Sequence, residues 1–224
     1  ESKGVVGGEG AAALVLETPE HASQRDVKPI ARLVSYASIF VPAEAMSRAE
    51  RTCSLTAPDA RGSSKAIQVA IETAIRDADI KPDQIGLVVS HGMGDPVVDL
   101  CERRALDATL PGTPVVATIA AIGHTGAASA MIDLATGALA IANRTVPPTI
   151  RTGSTSTDVA LQDDPQPLDG EHVLCLSHSS EGNATAAILS AECRAGPRGT
   201  CRRLVLVASD AEGKFTLFCA PRTF

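Results

Sequence analysis

Two histidines occupy positions at which a protein can do chemistry. His91 follows a short apolar run, residues 85–89, and His124 stands between Gly123 and a segment of small residues that opens a helix. Ligand sites of open α/β sheets gather beyond the carboxyl ends of strands, which suits His91. The helix dipole disfavours protonation of a histidine at a helix N-terminus, so we predict that His124 is a neutral hydrogen-bond donor. A lone histidine beside a glycine-rich turn is usually a structural residue, so the motifs around these two must decide their role.

The other histidines and the cysteines suggest no second catalytic set. The six cysteines are scattered without a C-x-x-C pair, which is typical of reduced thiols and not of a zinc site or a disulfide framework. Cys53 lies in an irregular connection, and we expect Cys101 to face out of a helix among carboxylates that raise the pKa of its thiol. His21, His172 and His178 match no catalytic motif, and we predict surface or turn positions for them.

The composition excludes several classes of protein. The 224 residues are 44 % hydrophobic but only 2 % aromatic, and the formal net charge is −6. Nucleic-acid binding relies on a basic surface and on aromatic stacking, so we expect no nucleic-acid partner. The sequence has no long apolar run and no charged-then-apolar leader, so we predict no membrane span, no secretory signal and a cytoplasmic location.

The elements that must position the two histidines form an alternating pattern that predicts an α/β fold. Helices are predicted after Ser63 or Ser64, over residues 96–108 and within residues 117–143. Buried strands are predicted over residues 85–89 and 115–119, and a hairpin over residues 172–177 and 184–190. A leading hairpin is expected from residues 11–16 and 30–39, and a trailing hairpin from residues 204–207 and 215–218. We also expect sequence upstream of Glu1, because the chain opens on a glycine-rich turn that feeds a buried strand.

Five segments in this order resemble the C-terminal half of β-ketoacyl-acyl-carrier-protein synthases, which have a thiolase-like fold. They are GGEGAAALVLE, LTAPDARG, IGLVVSHGMGDPVVDLCERRAL, IGHTGAASAMIDLATGALAIANRTVPPTI and SHSSEGNATAAIL. His91, Asp99 and Glu102 fall on the family motif HGTGT-x-x-x-D-x-x-E, and His124 falls on GH-x-x-GAAG. The resemblance implies a half-fold with a mixed five-stranded sheet flanked by helices, in addition to the two hairpins.

The resemblance also implies a division of the chain and a set of site residues. Residues 1–50 would end a missing N-terminal half, residues 51–193 would be the synthase-like domain, and residues 194–224 a basic tail. The roles that the family assigns are catalysis for His91 and His124, substrate contact for Gly92, Gly94 and Asn183, and structural support for Asp99, Glu102 and Asp133. In the family the reaction is a decarboxylative Claisen condensation in fatty-acid or polyketide synthesis. The substrate arrives on the phosphopantetheine of acyl carrier protein, so no cofactor and no metal are expected.

Several family features are missing from this sequence. The nucleophilic cysteine of the family lies in its N-terminal half, in a TACSS-like context that does not occur here. Ile119 stands where the family has a lysine, and Met93 and Asp95 replace the two threonines of HGTGT. The loop that the family writes GFGG-x-N has become SHSSEGN.

These departures leave several hypotheses open. The first is the C-terminal half of a synthase, which would pair with an N-terminal half or with a second copy through an exposed apolar face. The second is a non-catalytic partner that resembles a chain-length factor, whose basic tail docks acyl carrier protein; the simpler interpretation of that tail is a solvated hairpin. A complete hydrolase with a cysteine nucleophile is the third and least favoured.

Overall fold

The computed structural model describes residues 5–43, 62–149, 164–191 and 204–207. Nine strands are present in these ranges: β1 (Val15–Glu17), β2 (Ala31–Phe40), β3 (Ile85–Ser90), β4 (Val115–Ala117), β5 (Thr145–Val146), β6 (Gln166–Pro167), β7 (His172–His178), β8 (Asn183–Ser190) and β9 (Leu204–Val207). The same ranges hold five α-helices: α1 (Pro19–Gln24), α2 (Ser64–Ala78), α3 (Pro96–Thr109), α4 (Ile119–Ile122) and α5 (Ser129–Asn143). Short 3₁₀ turns span Pro82–Gln84 and Gly126–Ala128.

The two helices before and after β3 begin where their capping residues predict. The Ser63 hydroxyl accepts a hydrogen bond from the Ala66 amide at 3.1 Å, which satisfies one of the unpaired donors of the first turn of α2. Asp95 caps α3, and Pro96 occupies the first helical position, where its missing N–H costs nothing. The predicted helices and the β7–β8 hairpin are therefore confirmed.

A mixed five-stranded sheet forms the centre of the molecule, as predicted. The full seven-stranded order is β1-β9-β2-β8-β7-β3-β4, and its last five strands form this mixed sheet, which includes β2 although residues 30–39 were predicted in the leading hairpin. Strand β3 pairs in parallel with both β7 and β4, whereas β8 pairs antiparallel with β7 and β2. The carboxyl ends of β7, β3 and β4 therefore lie side by side at one edge of the sheet.

The predicted leading hairpin is wrong. Strand β1 pairs with β9, and β9 in turn pairs with β2, so β9 separates the two leading strands. Their connection is not a tight turn but α1, because Thr18 caps a helix that has Pro19 at its first position. Of the predicted trailing hairpin, the first strand is β9, and residues 215–218 lie outside the described ranges.

Helices cover both faces of the sheet and define two clusters of buried side chains. The first cluster lies under α2 and α3 and includes Ile67, Ile71 and Ile188, and the second lies under α5 and includes Val173 and Leu189. Helix α5 approaches the sheet through Gly137, where an added Cβ atom would lie 2.7 Å from the Cys175 sulphur. The small residues that open the α5 segment make no comparable contact, since Gly126 has nothing within 4 Å of an added Cβ atom.

The segment Gly126–Asn143 also has the length and apolar composition of a membrane-crossing helix, and 44 % of it is buried within the molecule. It contains the buried carboxyl of Asp133, and its helix packs on β7. Packing against the sheet accounts for this composition, because a helix that covers a sheet needs apolar residues on the covered face.

The chain between β4 and α5 is more broken than the sequence predicts. Strand β4 ends at Ala117, and the short helix α4 begins at Ile119. Helix α5 begins at Ser129, five residues after His124, with a 3₁₀ turn between them. His124 therefore does not occupy the N-terminus of a long helix, because Gly123 and Gly126 both adopt positive φ angles that interrupt helical geometry.

Candidate functional site

Three histidines meet at the edge formed by the carboxyl ends of the parallel strands. His178 is the last residue of β7, His91 directly follows β3, and His124 lies in the connection that follows β4. The ring centroids of His91 and His124 are 5.9 Å apart, with the ring planes at 87°. Those of His91 and His178 are 4.9 Å apart, at 63°. The His91 ring thus lies between the other two.

Glu102 of α3 holds the chain that follows β3 in place. Its Oε1 accepts hydrogen bonds from the Ser90 hydroxyl at 2.8 Å and from the His91 amide at 3.1 Å. Its Oε2 accepts one from the Gly92 amide at 3.0 Å and lies 3.0 Å from His178 Nε2. The carboxylate therefore connects α3 with the ends of β3 and β7, and fixes the backbone that carries His91.

Asp99 and Asp95 complete the support of this loop. Asp99 accepts a hydrogen bond from the Gly94 amide at 3.1 Å, and Asp95 accepts bonds from the first amides of α3. Gly92 has a φ angle of 45°, and an added Cβ atom would lie 3.0 Å from the Ala117 side chain. Only glycine fits here without strain, because the loop turns back towards the end of β4.

Backbone hydrogen bonds to the N-terminal segment position His124, and its ring accepts one local hydrogen bond. Its amide donates to the Val6 carbonyl at 2.8 Å, and its carbonyl accepts from the Gly8 amide at 3.0 Å. The ring nitrogen Nδ1 accepts a hydrogen bond from the Gly126 amide at 3.3 Å. A neutral imidazole that accepts at Nδ1 carries its proton on Nε2, so His124 presents Nε2–H as a donor.

Burial and nearby charged groups, His178 above all, determine the protonation states of His91 and Glu102. Burial, and then the nearby His178, lower the pKa of His91 from 6.5 to about 4, and Glu102 opposes this shift. Burial of Glu102 by itself would raise its pKa, but the charge and hydrogen bond of His178, the charge of His91 and the hydrogen bond from the Gly92 amide together bring the pKa down to about 2. At neutral pH His91 is therefore a neutral imidazole and Glu102 a carboxylate.

Asp133 of α5 is a buried acid without a basic partner in the described residues. Its Oδ1 accepts a hydrogen bond from the Thr118 hydroxyl at 2.6 Å, and its Oδ2 has no hydrogen-bond partner there. Burial raises the pKa of Asp133 from 3.8 to about 7; the charge of Glu102 adds to this shift, and the hydrogen bond from Thr118 opposes it.

The structure corrects the expectations for three other residues. His172 and His178 are buried rather than on the surface, since each is only 7 to 8 % exposed. Cys101 does not face outward: its side chain is buried in the core between the sheet and the helices. The position of His178 has no local signal in the sequence, because it depends on β7 pairing in parallel beside β3.

The structure shows no hydrogen bond between the remaining predicted substrate contact, Asn183, and the three described imidazoles of the cluster. Asn183 begins β8, one residue before the residue paired with His178, and its side chain is exposed. Within the described ranges, no three His, Cys, Asp or Glu side chains are arranged to hold a metal ion.

Residues 38–152, which span both histidine motifs, match the family model "Beta-ketoacyl synthase, C-terminal domain". The chain belongs to the β-ketoacyl synthase family. The 3-oxoacyl-[acyl-carrier-protein] synthase 2 of Coxiella burnetii is 30 % identical over 151 residues, which cover 66 % of this chain and 34 % of that protein. The tetracenomycin polyketide synthase ketoacyl synthase beta subunit of Streptomyces glaucescens is 32 % identical over 154 residues, covering 67 % and 34 %.

Solved structures share the fold of this chain. The ishigamide ketosynthase/chain length factor superposes with a TM-score of 0.73 at 25 % identity, covering 86 % of this chain and 46 % of that chain. A β-ketoacyl synthase from Burkholderia phymatum has the same fold, with a TM-score of 0.66 at 18 % identity over 78 % of this chain and 40 % of that one. The present chain spans about a third of the length of the curated relatives named above.

Proposed function

We propose that this chain acts as the C-terminal half of a β-ketoacyl synthase and stabilises the enolate formed when a malonyl thioester loses carbon dioxide. The observation that carries the proposal is the pair formed by His91 and His124, which come from separate connections and have ring centroids 5.9 Å apart. A neutral His91 and an Nε2–H on His124 suit donation to a single oxygen.

In the proposed reaction the two imidazoles hold the thioester carbonyl oxygen. The bond between the malonyl carboxylate and the adjacent carbon breaks, carbon dioxide leaves, and its electron pair forms an enolate with the charge on that oxygen. The enolate carbon then attacks an acyl thioester on a cysteine of the N-terminal half. A carbon–carbon bond forms, the carbon–sulphur bond breaks, and the cysteine leaves as a thiolate. Aimed donors at a developing oxyanion contribute roughly 2.7–4 kcal/mol each to such steps.

The thioester is proposed to arrive on the phosphopantetheine of acyl carrier protein, and the reaction then needs no cofactor from this chain. Relatives named as 3-oxoacyl-[acyl-carrier-protein] synthases support this source. Within the chain, we assign residues 51–193 to the synthase-like domain, residues 1–50 to the end of the preceding half and residues 194–224 to a tail. We place the protein in the cytoplasm.

The second partner is proposed to be an N-terminal synthase half, either in the same polypeptide or in a separate one. Two large side chains on β2 support this, since Tyr36 is 67 % and Phe40 is 60 % exposed on the same face of the strand. Exposed apolar patches of this kind mark surfaces that another protein covers.

The test is release of carbon dioxide from malonyl-acyl carrier protein by the chain together with an N-terminal synthase half. H91A and H124A should each slow release by about 10²-fold or more, the effect of removing one oxyanion donor. H21A, on the exposed surface of α1, is the control and should leave the rate unchanged. Equal rates in all four proteins would overturn the proposal.

A second function, a non-catalytic partner resembling a chain-length factor, is favoured by specific residues. Asp95 is occupied as the cap of α3, Met93 is buried, and Ile119 leaves Asp133 without a lysine. A ketoacyl synthase beta subunit and a ketosynthase/chain length factor are among the similar proteins. This alternative predicts that the chain forms a stable complex with a synthase but that carbon dioxide release does not depend on its histidines.

A further inference from the structure

The third histidine, His178, is not accounted for by the proposed reaction. It closes β7 beside His91, and its side chain is 2 % exposed. A buried imidazole needs hydrogen-bond partners to offset the loss of water. Here Nε2 has Glu102, and Nδ1 has no hydrogen-bond partner in the described residues.

The direction of the bond between His178 and Glu102 follows from the charge of the acid. Glu102 already accepts three hydrogen bonds from Ser90, His91 and Gly92, and an ionised carboxylate can only accept. His178 Nε2 therefore carries a proton and donates it at 3.0 Å. Donation to a buried carboxylate is charge-assisted, so it fixes the orientation of the His178 ring.

The Glu102 carboxylate also accepts a hydrogen bond from the His91 amide. It therefore fixes both the backbone of His91 and the ring of His178. The centroids of the two rings are 4.9 Å apart and their planes are inclined by 63°. The adjacent His178 lowers the pKa of His91, because a positive charge on one ring disfavours a second positive charge on a ring whose centroid is 4.9 Å away. The groups around His91 in the described residues are His178 from β7, Glu102 from α3 and His124 from the connection before α5, with Asp133 of α5 beyond Glu102.

We propose that His178 is a positioning residue for His91: anchored by Glu102, it fixes the plane of the His91 ring and keeps that ring in its neutral, donating form. The inference rests on the proposed function only in giving His91 the role of a donor. His178, which lies outside the predicted catalytic pair, would thus set the protonation state of His91.

The test is a nitrogen-15 NMR titration of the histidine side chains in the full chain. H178Q is the informative variant, because its amide can still donate to Glu102 but carries no charge and no ring. H172Q is the matched control, since His172 is a buried histidine at the opposite end of the same strand. The amide spectrum of each variant reports whether the fold is retained.

In the wild type we expect His91 to stay neutral down to about pH 5 and His178 Nε2 to carry a proton. H178Q should raise the midpoint of the His91 titration by roughly one pH unit, the size of a nearby charge effect, and H172Q should leave it unchanged. An unchanged His91 midpoint in H178Q overturns the proposal. If H178Q does not fold, an unprotonated His178 Nε2 in the wild type overturns it, and a protonated one supports it. None of these readouts needs turnover, so they are independent of the carbon dioxide assay.

Discussion

At the scale of single residues, the site is governed by two buried carboxyl groups in opposite situations. Glu102 accepts hydrogen bonds from a hydroxyl and two backbone amides and lies against His178, so its charge is fully compensated. Asp133 has one hydroxyl donor and no base among the described residues. The first group can remain ionised in the interior, whereas the second gains a proton near neutral pH.

Asp133 is therefore expected to make the protein less stable as the pH rises. Its pKa of about 7 in the folded state exceeds the ordinary value of 3.8, so the folded chain binds the proton more tightly than the unfolded chain. Stability from this group is fully present below about pH 4 and is lost as the pH rises to 7, at up to about 1.4 kcal/mol per pH unit. The D133N variant keeps the bond from Thr118 and has no such dependence.

Denaturant titrations of the wild type and D133N between pH 4 and pH 8 measure this effect. The free energy of unfolding of D133N relative to the wild type should increase up to about pH 7 and then level off, on top of a constant offset from the buried amide. The exposed acid Asp107 on α3 supplies the control, D107N, for which the difference should be flat. A flat difference for D133N would show that Asp133 is ionised in the folded protein.

At the scale of elements, the distance between α5 and the sheet determines where the connection before α5 can lie. Gly137 faces β7, and an added Cβ atom would lie 2.7 Å from Cys175 Sγ and 3.2 Å from Leu189 and Val173 side-chain atoms. Since α5 directly follows the connection that carries His124, a shift of α5 would be transmitted to the candidate site.

We expect G137A to destabilise the protein although alanine is the better helix former. The gain in helix propensity is about 1 kcal/mol, and overpacking a close contact costs about 1–3 kcal/mol. The C175A background removes the sulphur that the new methyl group would meet, so G137A should be tolerated better there. Thermal unfolding of the four proteins measures the coupling, and a stabilising G137A in the wild-type background would contradict the close contact.

Most of the helices and strands could be predicted from the sequence. The start of α2 was predicted at Ser63 or Ser64 and α3 over residues 96–108, and continuous apolar runs marked strands of the central sheet. The pairing of β1 with β9 could not be predicted, because it joins segments almost 200 residues apart and a hairpin is the default for neighbouring strands.

The candidate site could be predicted only in part, because local motifs can be read from the sequence and long-range contacts cannot. His91 and Glu102 follow from a local motif, and their contact spans eleven residues of one strand–loop–helix unit. The contact between Glu102 and His178 spans 76 residues, and depends on β7 lying beside β3. The backbone hydrogen bonds of His124 with Val6 and Gly8 likewise join segments that are far apart in the sequence. The glycine cluster near the N-terminus did not predict this pairing.

At the scale of the whole molecule, β2 presents an apolar strip that the described part of the chain does not cover. Tyr36 and Phe40 alternate with Ser38 on the exposed face of the strand, next to Thr185 of β8. The family assignment and the span of the chain relative to its relatives make an N-terminal synthase half the proposed occupant, and a second copy of this chain would cover the strip in its absence.

We therefore expect the chain alone to self-associate and to bind a hydrophobic dye. Y36S/F40S should lower both the sedimentation coefficient of the associated species and the dye fluorescence, since it removes most of the apolar area of the strip. S38A changes the residue between them and should have no effect. A wild-type chain that is monomeric and binds no dye would contradict the proposal that another protein covers this strip of β2.

The joint role of His91 and His124 is tested by a double-mutant comparison in carbon dioxide release from malonyl-acyl carrier protein, with the N-terminal half present. If both imidazoles hold one oxygen, each single alanine variant loses about 10²-fold or more, and the double variant loses far less than the product of the two, because residues that act as a unit are not additive. Single variants with wild-type rates, or losses that multiply in the double variant, would contradict the account.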